Sequence, residues 1–284
     1  MSDSDLHLSI TPIKSSEIPS EDAIIAAGKQ LLEETSSWKQ GKAYQHNTVK
    51  TFSRPKGPKD GAGWFGRVSE HTTQDASFDE FWSKLGNADN KAENEMQYIP
   101  EIKKVTLIKR ISPTQSVWTL FYHFPPPVSP RVFTVVQTTR LEGTDGSRTG
   151  YIVSLPVDVS DNAEYAKLEE RGVKGRYVSV ERLQERADGT VEWRMATSST
   201  PGGRIPQFVA ESSMASTISK DVTHFLRWLH ANKKETEPVE GTAAPGDAVP
   251  PATAGVHAAA AEEAGSPNVG AAEGSGPGAA GAAA

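Results

Sequence analysis

The sequence predicts an α+β domain: a curved antiparallel β-sheet wrapped around one long C-terminal helix. Three observations carry this. Between residues 102 and 200 the chain is a succession of β-prone runs joined by turns, with helical patterns before and after it rather than alternating with it, so a parallel βα sheet is excluded. The run "TVEWRMAT" sends Val191, Trp193 and Met195 to one face and Glu192 and Arg194 to the other, the pattern of a sheet with one buried face. The stretch "TPGGRIPQFV", residues 200–209, then concentrates two prolines and two glycines at the passage from the last strand into a helix.

Taken in order, "PSEDAIIAAGKQLLEET" reads as a helix. Ser20 caps it, Glu21 and Asp22 suit the positive end of the dipole, and Ile24, Ala27, Gly28 and Leu31 share a face. "WKQGKAYQHNTVKTFSRP" reads as one polar, edge-like strand, "PKGPKDGAG" as a loop and "WFGRVSEHT" as extended chain. "SFDEFWSKLG" is a short helix between an N-cap at Ser77 and a stop at Gly86, with Phe78, Phe81, Trp82 and Leu85 on its apolar face. Strands follow at "EIKKVTLIKRI", "SVWTLFYHF", "RVFTVVQTTRLE" and "TGYIVSLPVDV". An acidic connection of residues 158–172 leads to "VKGRYVSVERLQE", and Asp188-Gly189 turns the chain into the final strand. Pro201 ends that strand, Gly202 and Gly203 permit a tight reversal, and Pro206 fits the start of a helix. Val222, Phe225, Leu226 and Leu229 give that helix an i, i+3, i+4, i+7 stripe, with Lys233 and Lys234 at its negative end.

Composition sets the limits of the folded part. All 21 aromatic residues lie at or before Trp228, and 31 of the last 44 residues are Ala, Gly or Pro. So few bulky apolar groups do not offset the entropy of ordering a chain. The expected organisation is an N-terminal extension with one helix (residues 1–37), a ligand-binding domain (38–234) and a disordered tail (235–284). With no cysteine, disulfides, thiolate metal sites and Cys nucleophiles are excluded. The N-terminus lacks a basic-then-apolar leader and no apolar run reaches the ~20 residues that span a bilayer, so a cytoplasmic protein is expected. A net charge of −6 argues against nucleic acid as partner.

The stretch "GTVEWRMATSSTPGGRIPQFV…ISKDVTHFLRWL" resembles the C-terminal end of START-like (StAR-related lipid-transfer) domains, and "PPPVSPRVF" resembles the segment that opens one of their central strands. The likeness runs from about Trp38 to Lys233 and is closest to a fungal, functionally uncharacterised branch of that superfamily. It implies a helix-grip fold with an internal hydrophobic cavity, a lipid or sterol-like ligand, and gating by residues 158–172, which match the family's omega loop. Two departures stand out. Val132 replaces the family's acidic residue after Arg131, and Gln137 stands where several sterol-binding members carry a buried base.

Other constellations carry less. "GAGWFG" fits G-x-G-x-x-G but lacks the preceding strand and following helix that a dinucleotide needs. The seven histidines show no metal spacing, and no cofactor is expected. His123, Tyr122 and Tyr177 are the acid–base candidates for a cyclase or hydratase on this scaffold, the enzymatic alternative to a binding protein. A third alternative is an interaction module whose cavity has filled in. In the strand row Phe133, Val135, Gln137, Thr139, the two polar members need partners once buried, and orienting a ligand's polar end would supply them. The expected role is therefore non-enzymatic binding, and transfer, of a lipid or other hydrophobic small molecule, with transient membrane contact. The expected lining is Phe121, His123, Phe133, Val135, Gln137, Thr139, Val153, Leu155, Tyr177, Val191, Trp193, Met195, Phe208, Met214, Val222 and Phe225.

Overall fold

A computed structural model describes residues 6–236. Its elements run β1 (Ile13–Lys14), α1 (Glu21–Glu34), β2 (Lys39–Tyr44), β3 (Val49–Arg54), β4 (Trp64–His71), α2 (Phe78–Leu85), α3 (Lys91–Tyr98), β5 (Ile102–Ser112), β6 (Gln115–Tyr122), β7 (Arg131–Glu142), β8 (Thr149–Asp158), α4 (Ala163–Ala166), β9 (Val173–Lys174), β10 (Arg176–Glu185), β11 (Val191–Thr200) and α5 (Gln207–Thr236). The sheet order is β2-β3-β4-β11-β10-β8-β7-β6-β5, antiparallel throughout, with β1 and β9 added as short parallel partners of β8 and β7. This is the α+β helix-grip architecture, with α5 packed across the curved sheet.

Local chemistry accounts for the elements. The Ser20 hydroxyl accepts from the Ala23 N–H at the start of α1. In α2, Ser77 and Glu80 close a reciprocal capping box. Gly189, at φ +79°, makes the β10–β11 turn.

Where expectation and structure differ, the reasons are physical. "WKQGKAYQHNTVKTFSRP" is a hairpin, β2–β3, not one strand. Its tip turns through Gln45, His46 and Asn47, all in the left-handed region without a glycine to announce it. Helix α3 was not anticipated because "KAENEMQY" has no apolar stripe; its buried residues include Lys91 and Asn94. Strand β1 exists only through its partner, since two residues carry no periodicity. Nearly all of the segment expected to be a disordered tail, residues 237–284, lies outside the described residues.

Two cores occupy the two faces. On the convex face α1 packs Ile24, Ile25, Leu31 and Leu32 onto Val153, Leu155, Val178 and Val180. Gly28 allows the close approach: a Cβ there would stand 2.8 Å from a Val153 methyl. On the concave face α2, α3 and α5 cover Ile152, Leu183, Val191 and Trp193, with Phe81 and Phe225 stacked at 5.4 Å between ring centres. The buried face of α5 runs Ala210, Met214, Ile218, Val222, Phe225 and Leu229.

Candidate functional site

Strand register sets the concave face in rows. One reads Ser116, Gln137, Ser154, Ser179 and Thr197. The next reads Thr139, Ile152, Glu181, Met195, Arg67 and Thr51. A concave face meant only for packing would be aliphatic; this one is polar along its middle. Helix α3 adds Lys91, Glu95 and Tyr98, one per turn, and α5 adds Asp221 from within its apolar stripe. Of these groups Ser154, Ser179, Glu181, Arg67, Lys91, Glu95, Tyr98 and Asp221 line an enclosed space of about 30 Å³, whose apolar side is formed by Leu85, Ile99, Trp193 and Met195.

The charges here are buried and only partly paired. Lys91 forms an ion pair with Glu95 one turn on and lies 3.6 Å from Glu181. Glu181 also accepts from the Trp193 indole N–H at 2.9 Å. Burial pulls Lys91 down, but Glu95 and Glu181 outweigh it and its pKa ends above the ordinary value. Arg67 is 1% exposed, its guanidinium 4.0 Å from the centre of the Trp193 ring and 3.9 Å from Glu181. Its Nε and Nη1 have no hydrogen-bond acceptor among the described residues. Burial lowers the Arg67 pKa, with Glu181 and then Asp221 opposing it. Taking an ion out of water costs several kcal/mol unless its donors are satisfied, so idle donors on a buried guanidinium call for an explanation.

Of the residues expected to line the site, Tyr177, Trp193 and Met195 border the enclosed space. Gln137 is fully buried beside them, and its amide nitrogen and oxygen have no hydrogen-bond partner among the described residues. Phe133 and Val135 join Tyr177 in one concave-face cluster, and Thr139 sits in the Glu181 row. Val191, Val222 and Phe225 pack in the aromatic core under α5, and Met214 packs with Met195 and Ile218. Others are placed elsewhere. Val153 and Leu155 face α1 on the convex side. Phe121, opposite Val132, and His123 alternate to that same convex face, where His123 is exposed. Phe208 is 73% exposed on the first turn of α5. His123 is thus across the sheet from Tyr122 and Tyr177, whose hydroxyls burial pushes well above the usual tyrosine range.

Arg67, Lys91, Glu95, Tyr98, Glu181 and Asp221 were not anticipated, because a charged residue in a strand or helix ordinarily faces water. A signal was present: Glu181 shares the parity of Tyr177 and Leu183, and Asp221 interrupts the stripe of Ile218, Val222 and Phe225.

With this geometry in view, comparison with solved structures defines the class. Human STARD10 superposes with a TM-score of 0.63 at 12% identity, covering 77% of this chain and 83% of that one. Human StAR-related lipid transfer protein 5 gives 0.56 at 15%, covering 76% and 95%. The lipid transfer and protein localization domain of human StarD13 gives 0.52 at 11%, covering 72% and 95%. At such identities the likeness establishes the fold: a START-type helix-grip domain. More particularly, residues 64–229 match the model of DUF3074, a protein family of unknown function, and the chain belongs to that family. No curated protein matches the sequence.

Proposed function

We propose that the protein binds a hydrophobic small molecule, a lipid in the broad sense, between the concave face and α5, and carries it without chemical change. The START-type fold supports this, as its solved relatives are lipid transfer proteins by description. The single observation that carries it is Arg67, 1% exposed at the edge of an enclosed space, with Nε and Nη1 lacking an acceptor among the described residues. A hydroxyl, carbonyl or amide oxygen on a ligand would accept from them. Two cations stand against three carboxylates in the cluster, which disfavours a ligand bearing full negative charge. Apolar burial would supply affinity at roughly 25 cal/mol per Å², less the cost of ordering. Admission requires α5 or the connection of residues 158–172 to move, and exposed Phe208 is the side chain best placed to touch a membrane as they do. Flotation with vesicles should weaken in Phe208→Asp; unchanged flotation would remove Phe208 from that role.

One observation favours a second reading, a scaffold that holds no ligand: about 30 Å³ takes little more than a single water. Native mass spectrometry of protein purified from its own host, followed by organic extraction, decides between them. One lipid per chain is the expected result, and protein of apo mass with an empty extract overturns the binding reading.

A further inference from the structure

The connection of residues 158–172 is held at both ends by contacts that the ligand site does not use. At its far end, β9 pairs with β7 and lies under the turn into α5, where a Cβ on Gly202 would stand 2.3 Å from the Lys174 carbonyl oxygen. At its near end the holder is the N-terminal segment. Leu8 and Ile10 anchor that segment in the convex core, and β1 pairs Ile13 and Lys14 with Val157 and Asp158, beyond the last residue of β8 that β10 covers. Side chains then complete the hold. Lys14 Nζ donates to Asp158 at 2.6 Å and to Ser160 at 3.2 Å. The Ser15 hydroxyl donates to Asp161 at 2.8 Å, and Ser16 adds its hydroxyl at 2.8 Å and its N–H at 3.0 Å. Between these ends α4 buries none of its residues, although Tyr165 packs against the convex core; nearer the far end Glu169 accepts from the Thr134 hydroxyl and from Lys174 Nζ, each at 2.6 Å, and Glu170 pairs with Lys104.

We propose that residues 13–16 are a releasable latch on this connection, and that Ser15 and Ser16 are its modification site, phosphoryl acceptors for an ATP-dependent protein kinase. Ser16 is exposed and lies in a turn before the irregular stretch that leads to α1, so its hydroxyl is within reach of an enzyme. In the transfer, an O–P bond forms at the serine Oγ as the bond from the γ-phosphorus to ADP breaks, and the hydroxyl proton passes to the kinase's base. The three hydrogen bonds onto Asp161 depend on its carboxylate meeting two neutral hydroxyls and an amide. A phosphate carrying nearly two negative charges reverses that attraction, with Asp158 and Glu17 adding to the repulsion and Lys14 already engaged. Hydrogen bonds from Ser15, and then Ser16, hold the Asp161 pKa down at about 2, so its charge is present at any physiological pH. Release of the latch would free the connection whose movement the proposed function invokes for admission of a ligand. That consequence rests on the reading of function above; the latch does not.

The test is amide hydrogen exchange on the full chain, with phosphoserine installed at residue 15 or 16 during translation. Exchange across residues 158–172 should quicken about tenfold while the β10–β11 amides keep their rates, because bonds to a charged group are lost only at the latch. The Ser15→Ala/Ser16→Ala double variant should quicken it less, having lost bonds but gained no repulsion. In an Asp161→Lys background, phosphoserine should slow exchange again, since the charges now attract. Unchanged exchange on phosphorylation, or the same acceleration in Asp161→Lys, would overturn the proposal. Faster exchange with no ligand present in any sample would sustain the latch while removing the lipid reading.

Discussion

Arg67 is buried between strands in the same row as Glu181, and its environment is short of acceptors. If a ligand completes it, Arg67→Met should lower the fraction of protein carrying ligand by about tenfold or more, the loss expected for a hydrogen bond to a charged group. Met195→Leu, one strand over, should leave it within about twofold. Equal ligand content in Arg67→Met, measured by native mass spectrometry, would detach recognition from this residue. His71 makes a separate point on the same face. It is 4% exposed, tilted against Phe81 at 5.1 Å between ring centres, and its Nε2 lies 2.8 Å from the Ser69 hydroxyl. Burial lowers its pKa to about 4 from 6.5, with Asp75 opposing. The unfolded chain therefore binds a proton that the folded protein refuses. Stability is whole above pH 6.5 and falls as pH drops toward 4, by on the order of 3 kcal/mol for this group. Urea unfolding at pH 7 and pH 4.5 should show that loss, and His71→Gln should remove most of the difference. Neither residue was legible as interior. A lone basic residue in a strand reads as solvent-facing until its neighbours on both sides are known.

The passage from β11 into α5 was legible as an element, and the structure gives its geometry. Gly202 and Gly203 both have φ +65°, and Gly202 lies so close to β9 that a Cβ has no room. Gly202→Ala should cost more than the roughly 1–2 kcal/mol of a left-handed Ala alone. Gly146→Ala, at φ +84° with nothing within 4 Å of the new methyl, should cost only that strain. Thermal melts of the two variants make the comparison, and equal losses would mean that the contact with β9 is not tight in solution. Among the helices, α1, α2 and α5 were legible through caps and apolar stripes. Helix α3 was not, because the face it buries carries Lys91 and Asn94. The β2–β3 hairpin was missed for a related reason: Gln45, His46 and Asn47 adopt the left-handed turn that glycine usually signals.

At the scale of the molecule, α1 belongs to the fold although the sequence sets it apart as an extension. It covers Val153, Val178 and Val180, which would otherwise face water. Burying each large apolar side chain is worth roughly 1.5–3 kcal/mol, so several together approach the whole stability of an ordinary domain, about 5–15 kcal/mol. Deletion of residues 1–37 should give insoluble or unfolded protein. A soluble product with a cooperative melt close to that of the full chain would show that the convex face needs no cover. The sequence by itself determined the fold class, the succession of most strands, the turn at Gly202 and Gly203, and which residues of β10 and β11 share a face. It could do so because alternation, caps and turn residues are written within a few positions of one another. Only the tertiary structure decided which face is enclosed: it turned Val153 and Leu155 toward α1, left Phe208 in solvent, and gathered Arg67, Lys91, Glu181 and Asp221 from two strands and two helices around one space. Periodicity says that two faces exist, and the pairing of distant strands says which one the helices close over.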